Sequence, residues 1–172
     1  MSANKPKMLP SREEITEWLN YNPETGIFTR KKKNNRKQII GEEVGSRRAD
    51  GYLVTHINKK RYYLHRIAYF LLTGDQPEMV DHINGNTTDN RAINLRAASC
   101  IQNAYNMRKG RRNHSGHKNV YWNSSSKKWN VKMNANKKYY WGGSFSSLDS
   151  AIVACEKLRI KLHGEFANHG GE

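Results

Sequence analysis

The sequence predicts an α+β protein built from small modules, and three observations lead to that class. Only 36% of its 172 residues are apolar and the mean hydropathy is −0.93, a composition suited to several thin cores. Short helical and strand-like patterns follow one another with turn residues between them. In the middle, two apolar runs, LHRIAYFLLTG and NLRAASCIQNAYNM, flank the polar stretch VDHINGNTTDNRAINLR at 80–96, which gathers two Asp, one His and four Asn.

Residues 1–10 contain two prolines and no periodicity, which predicts a disordered lead. Ser11 with Glu14 makes a capping-box pattern for a short helix whose apolar side is Ile15, Trp18 and Leu19. NPETG reads as a turn before a strand-like IFTR, and KKKNNRK at 31–37 as a solvated loop able to meet phosphate. GYLVTHI, the turn NKK and RYYLH predict a β-hairpin, and Leu64 to Leu72 a buried helix closed by Gly74. Asn84-Gly85 is a hairpin-turn signal, with the returning strand carrying Asn94 and a helix from about Ala98 to Arg108. Beyond the basic segment RKGRRNHSGHK, three strands (NVYW, KWNVKM, KYYW) precede a helix with apolar residues at Leu148, Ile152, Cys155, Leu158 and Leu162. The expected organisation is therefore a lead (1–10), a first domain (11–108, with its core about 64–108), a basic linker (109–116) and a C-terminal domain (117–168).

Charge narrows the function. Thirty Lys and Arg against fifteen Asp and Glu leave a net charge of +15, more than solubility needs, and this implies a polyanionic partner, nucleic acid first. Between Asp89 and Asp149 there is no acidic residue but twelve Lys or Arg. Cys100 and Cys155 form no C-x-x-C pair, which argues against a thiolate zinc site and for a reduced, cytoplasmic setting. No apolar run reaches membrane-span length and the N-terminus lacks a signal-peptide core.

The central stretch carries chemistry. Hydrolysis of a phosphodiester needs a nucleophile made from water, charge stabilisation on the phosphate and help for the leaving oxygen. Asp81 and His82 stand side by side, so a bent backbone is needed for both to reach one phosphate. An amide oxygen at Asn94 could fix the imidazole tautomer, and Asn103, in the first turns of the following helix, supplies a hard oxygen ligand.

DHINGNTTDNRAINLR followed by QNAYN resembles the HNH nuclease motif in its H-N-N form, known from phage and intron-encoded homing endonucleases. The resemblance implies a ββα-metal fold around one divalent ion, with His82 as general base, Asn94 orienting it, and Asp81 and Asn103 as metal ligands. His65 matches a His often found there in the family. Because Asn103 stands where the classical motif has its last His, the variant implies Mg²⁺ or Mn²⁺ and no structural zinc. Arg96, Arg108, Arg111 and Arg112 are expected at phosphates of double-stranded DNA.

The segment SGHKNVYW…HGEFAN resembles an AP2 domain through V-Y-W at 120–122, K-W at 128–129, W-G-G-S-F at 141–145 and H-G-E-F-A-N at 163–168. That family lays its sheet in the DNA major groove, which places Tyr121, Asn123, Lys132, Asn134, Tyr139 and Trp141 at DNA. Alternation turns Trp129, Val131 and Met133 inward and Asn130, Lys132 and Asn134 outward. Several places usually held by Arg are Tyr or Asn here, and Gly142 replaces an aliphatic residue, which leaves the register of the third strand open.

The expectation is a phage-type HNH homing endonuclease acting in a host bacterial cytoplasm. It would nick as a monomer, with a dimer needed for a double-strand break. The rivals are a DNA-binding regulator on an inactive HNH fold, and an RNA-binding or assembly protein.

Overall fold

In the computed structural model, which describes residues 8–106 and 113–169, the chain is mixed α+β, with four α-helices and four small antiparallel sheets among the described residues. It divides into two compact units, Met1–Ser99 and Cys100–Glu172.

In the first unit, α1 (Arg12–Trp18) begins where the Ser11 side chain accepts the Glu14 N–H at 3.2 Å, the first half of the capping pattern. The chain runs straight into β1 (Leu19–Tyr21), which pairs with β2 (Phe28–Arg30) across the NPETG turn. A second sheet has the order β3 (Ser46–Arg47), β4 (Leu53–Ile57), β5 (Lys60–Tyr63). Asn58 and Lys59, with φ of 47° and 61°, make the turn between β4 and β5, and two successive positive φ values match the right-handed twist of a two-residue hairpin. Helix α2 (Leu64–Thr73) ends on Gly74 in the left-handed region, as its sequence predicts. Ile15, Trp18, Leu19, Phe28, Ile57, Leu64 and Ile67 make the core between these elements.

Strands β6 (Met79–His82) and β7 (Leu95–Ala98) pair with Asp81 opposite Arg96 and His82 opposite Leu95. Here the structure corrects two expectations. Asn84-Gly85 does not form a tight hairpin turn but opens a loop over 83–94, in which Gly85 takes φ 69°. Asn94 is not on the returning strand; it closes a 3₁₀ turn, Ala92–Asn94, just before it. The reason is local: Asx-type bonds from Asn84, Asn86 and Asp89 to nearby backbone N–H groups compete with strand pairing through the whole segment.

In the second unit, α3 (Cys100–Asn106) is tied down by its C-terminal residues. Lys118 Nζ donates to the Tyr105 carbonyl at 2.8 Å, Asn168 donates to the Asn106 carbonyl at 2.8 Å, and the Tyr105 ring stacks on His163 at 3.8 Å. Strands β8 (Val120–Asn123), β9 (Lys128–Ala135) and β10 (Lys138–Phe145) form one sheet with β9 in the centre. Helix α4 (Leu148–His163) covers one face, burying Val120, Val131 and Met133 against Ala151 and Cys155, with Trp129, Phe145, Leu148, Leu158 and Leu162 at the margins. The alternation expected for β9 is therefore present. The helix departs from its expected apolar stripe, because Arg159 and His163 are buried on the packed side while Ile152 is only half-buried. The Arg159 guanidinium enters because loop oxygens receive it: Nη2 donates to the Lys118 carbonyl at 2.5 Å and to Asn119 Oδ1 at 3.2 Å. Arg108, Arg111 and Arg112 lie outside the described residues. Among the described residues no helix is long and apolar enough to cross a membrane.

The register of β10 shifts between Trp141 and Gly143. A Cβ on Gly142 would lie 2.5 Å from Val131 Cγ1 and 3.0 Å from Leu158 Cδ2, so the missing aliphatic side chain is a packing requirement of this core. Gly142→Ala should therefore destabilise the second unit by about 1–3 kcal/mol through overpacking, read as a lower urea midpoint for the transition reported by its tryptophans.

Candidate active site

Asp81 and His82 end β6, and both are buried, as is Val80 before them. A strand turns successive side chains to opposite sides, so burial of all three means that β6 is covered on both. On one side lies Arg96, opposite Asp81 in the ladder, whose Nε and Nη2 both donate to Asp81 Oδ2 at 2.9 and 2.8 Å. Arg96, expected at phosphate, is thus engaged with the carboxylate next to the candidate base.

On the other side His82, 3% exposed, sits among rings. Its centroid is 5.1 Å from that of His65 and 5.8 Å from that of Tyr52, and His65 in turn lies 4.8 Å from Tyr52 and 5.4 Å from Tyr63. These come from three places: the approach to β4, the β5–α2 junction and β6. Burial holds both imidazoles below the ordinary histidine value, His65 far below it. For His82 burial outweighs Asp81, Asp89 and the Asn90 hydrogen bond, all of which favour the charged form. His65 Nδ1 is buried without a hydrogen-bond partner among the described residues, a further penalty on charging it.

One partner of the imidazole is Asn90, with its Oδ1 at 3.2 Å from His82 Nε2. Sequence reasoning places the orienting amide at Asn94 and counts Asn90 with the turn residues. Instead, Asn94 holds the loop together: its Oδ1 accepts the Asn84 N–H at 2.9 Å, its Nδ2 donates to the Asp89 carbonyl at 2.8 Å, and its own carbonyl accepts the Ile83 N–H at 2.9 Å. Asp89, gripped by Arg91 at 2.6 and 2.8 Å, is driven down to about 2 by that guanidinium and also accepts from Asn84 Nδ2. Asn90, 1% exposed, is left pointing inward. The D-N-R spacing in the sequence marks this residue, but nothing in it distinguishes an inward Asn from an outward one.

The turn between β1 and β2 braces Asn90 from behind. Tyr21 Oη donates to the Asn90 carbonyl at 2.7 Å, and the Ala92 N–H donates to the Pro23 carbonyl at 2.8 Å. Gly26, at φ 75°, lies so close that a Cβ there would be 2.5 Å from Arg91 N and 2.6 Å from Asn90 C. Backbone against backbone cannot yield, so glycine is required for both its conformation and its size.

Asn103 is half-buried on α3, in the second unit, while Asp81, His82, Asn90 and Asn94 are in the first. Among the described residues no three His, Cys, Asp or Glu side chains gather as an ion site. A carboxylate and a carboxamide each offer oxygen, the type of ligand that hard divalent ions take.

Residues 62–105, from β5 to α3, match the family model described as HNH endonuclease, and His65, Asp81, His82 and Asn90 lie within that match. Over 90 residues the chain is 32% identical to Protein 3.8 of Escherichia phage T7, covering 51% of this chain and 72% of that protein, and it belongs to the family of that phage protein. No solved structure matches the chain.

Two outcomes follow from this geometry. Gly26→Ala should lower the melting temperature of the first unit and weaken the His82–Asn90 contact, visible as a changed His82 imidazole shift in NMR spectra. Acid should also destabilise this unit. Burial lowers the proton affinity of both folded imidazoles, so as pH falls below about 6.5 the unfolded chain takes up protons first. Each imidazole then removes at most about 1.4 kcal/mol per pH unit. The melting temperature should therefore drop from pH 7 to pH 5, less steeply in His65→Phe.

Proposed function

We propose that the chain is a DNA endonuclease in which His82 is the general base, and the observation that carries this is the buried Asp81-His82 pair with Asn90 on the ring, inside the HNH match. In this reading the neutral imidazole, held through Nε2 by Asn90 Oδ1, takes a proton from water. The hydroxide attacks phosphorus, the 3′ oxygen departs, and the ends are a 5′-phosphate and a 3′-hydroxyl. A base held neutral by burial is ready for this at neutral pH.

Asp81 and Asn103 are the side chains that would hold a divalent ion, which when bound neutralises charge on the phosphate and the departing oxygen. Arg96 acts in this reading as the positioning partner of Asp81. Asn90 positions His82, and Asn94 keeps the loop in the shape that delivers Asn90. The C-terminal sheet and α4, similar in pattern to an AP2 domain, would add DNA contact through Tyr121, Asn123, Lys132, Asn134, Tyr139 and Trp141, with Arg108, Arg111 and Arg112 at phosphates. Asn123 also caps the β8–β9 turn, accepting the Ser125 and Ser126 N–H groups. A homing-type nick by a monomer in a bacterial host is the finer form of this reading. The second reading is a DNA-binding regulator on an inert HNH fold, and the exposed aromatic face of the C-terminal sheet favours it.

Conversion of supercoiled plasmid to open circle, with Mg²⁺ or EDTA, is the test. His82→Ala should reduce metal-dependent nicking by on the order of 10²- to 10⁴-fold with DNA binding retained. Tight binding without cleavage by the unaltered protein would select the regulator. Asn90→Ala should cost on the order of ten- to a hundredfold in rate. Asn90→Asp should move the acid limb of the pH profile upward, because a carboxylate at Nε2 stabilises the imidazolium. A profile that stays in place would remove Asn90 from its role.

A further inference from the structure

The face of the C-terminal sheet turned away from α4 carries large rings that the core does not use. On β10, Tyr139 and Trp141 are 72% and 62% exposed; on β8, Tyr121 is 51% exposed. The register sets Trp141 opposite Lys132, Tyr139 opposite Asn134 and Tyr121 opposite Asn130, so the three rings share one face across the width of the sheet. Lys132 lies in their midst, its Nζ 4.5 Å from the centre of the Tyr139 ring.

The polar side chains of that face are few. No arginine occurs on the three strands, and arginine is the commonest reader of guanine in a duplex groove. Of the two outward amides on β9, Asn130 is already paired, its Oδ1 accepting from Ser144 Oγ at 2.6 Å. What the face offers is ring surface. Lysines surround it at the strand ends, Lys127 and Lys128 on one side and Lys137 and Lys138 on the other, and no acidic residue occurs anywhere between Asp89 and Asp149. A duplex shows base edges in its grooves and keeps base faces shut inside the stack, whereas an unpaired strand exposes both its base faces and its phosphates.

We propose that this face is a stacking site for single-stranded DNA, with Tyr121, Tyr139 and Trp141 against bases and the surrounding lysines at phosphates. The site takes any base, because every base has a π-face, and its affinity falls steeply with salt. The choice of DNA over RNA rests on the endonuclease reading; the stacking does not.

The experiment uses the full chain in EDTA, with short labelled oligonucleotides of one sequence as single-stranded DNA, duplex DNA and single-stranded RNA, followed by fluorescence anisotropy. Trp141→Ala and Tyr139→Ala alter exposed side chains, and unchanged melting curves confirm their fold. Each variant is expected to lose on the order of tenfold in affinity for the single DNA strand and distinctly less for the duplex. Binding of the single strand should quench tryptophan fluorescence in the parent and much less in Trp141→Ala. Loss of duplex affinity equal to or greater than that for the single strand would overturn the proposal in favour of groove docking. So would unchanged single-strand affinity, and RNA bound as tightly as DNA with the same losses would replace DNA as the ligand. The readouts do not involve cleavage, so failure of the His82→Ala nicking test leaves them standing and separately interpretable.

Discussion

The candidate site depends on one constraint, the inward placement of the Asn90 amide at His82. A loop this rich in Asn and Asp has many local hydrogen bonds open to it, and most of its amides are used to close turns. Asn94 does more, joining the two ends of the loop by accepting from Asn84 and donating to the Asp89 backbone. Once those bonds are made, Asn90 faces the imidazole. The β1–β2 turn then fixes it there, through Tyr21, the Pro23 carbonyl and the close approach of Gly26.

Burial sets the chemistry of that site. His65, His82 and the two tyrosines form a ring cluster with little room for a charge, so burial holds His82 below the ordinary histidine value despite two nearby carboxylates. Arg96 satisfies Asp81 from the neighbouring strand, which keeps the buried carboxylate from standing unpaired. The side chains expected to make this fold acid-sensitive therefore include the candidate base.

The two faces of the sheet in the second unit differ in burial. One is closed by α4 with a packing tight enough to exclude any side chain at position 142. The other keeps its rings outside, and large exposed aromatics grouped on one face are a sign of a binding surface. Arg159, with its guanidinium donated to the Lys118 carbonyl and Asn119, anchors the entry to β8 from the helix side.

Much of this was legible from local pattern: the capped α1, the glycine-closed α2, the alternation of β9 and the polar stretch at 80–96 all rest on interactions between residues near in sequence. The HNH-like spacing likewise marks Asp81 and His82. Other features were not legible. The orienting amide was expected at Asn94, Asn94 itself was expected on the returning strand, and Arg159 and His163 were left out of the buried face of α4. Each depends on partners far along the chain, such as Tyr21 and Gly26 for Asn90 or Lys118 for Arg159. The sequence by itself determined the α+β class, the basic surface and the residues able to do phosphodiester chemistry, because composition, periodicity and spacing are local properties. Which of several equivalent asparagines meets the imidazole was decided only by the tertiary structure, because the direction of a side chain follows from packing between distant segments.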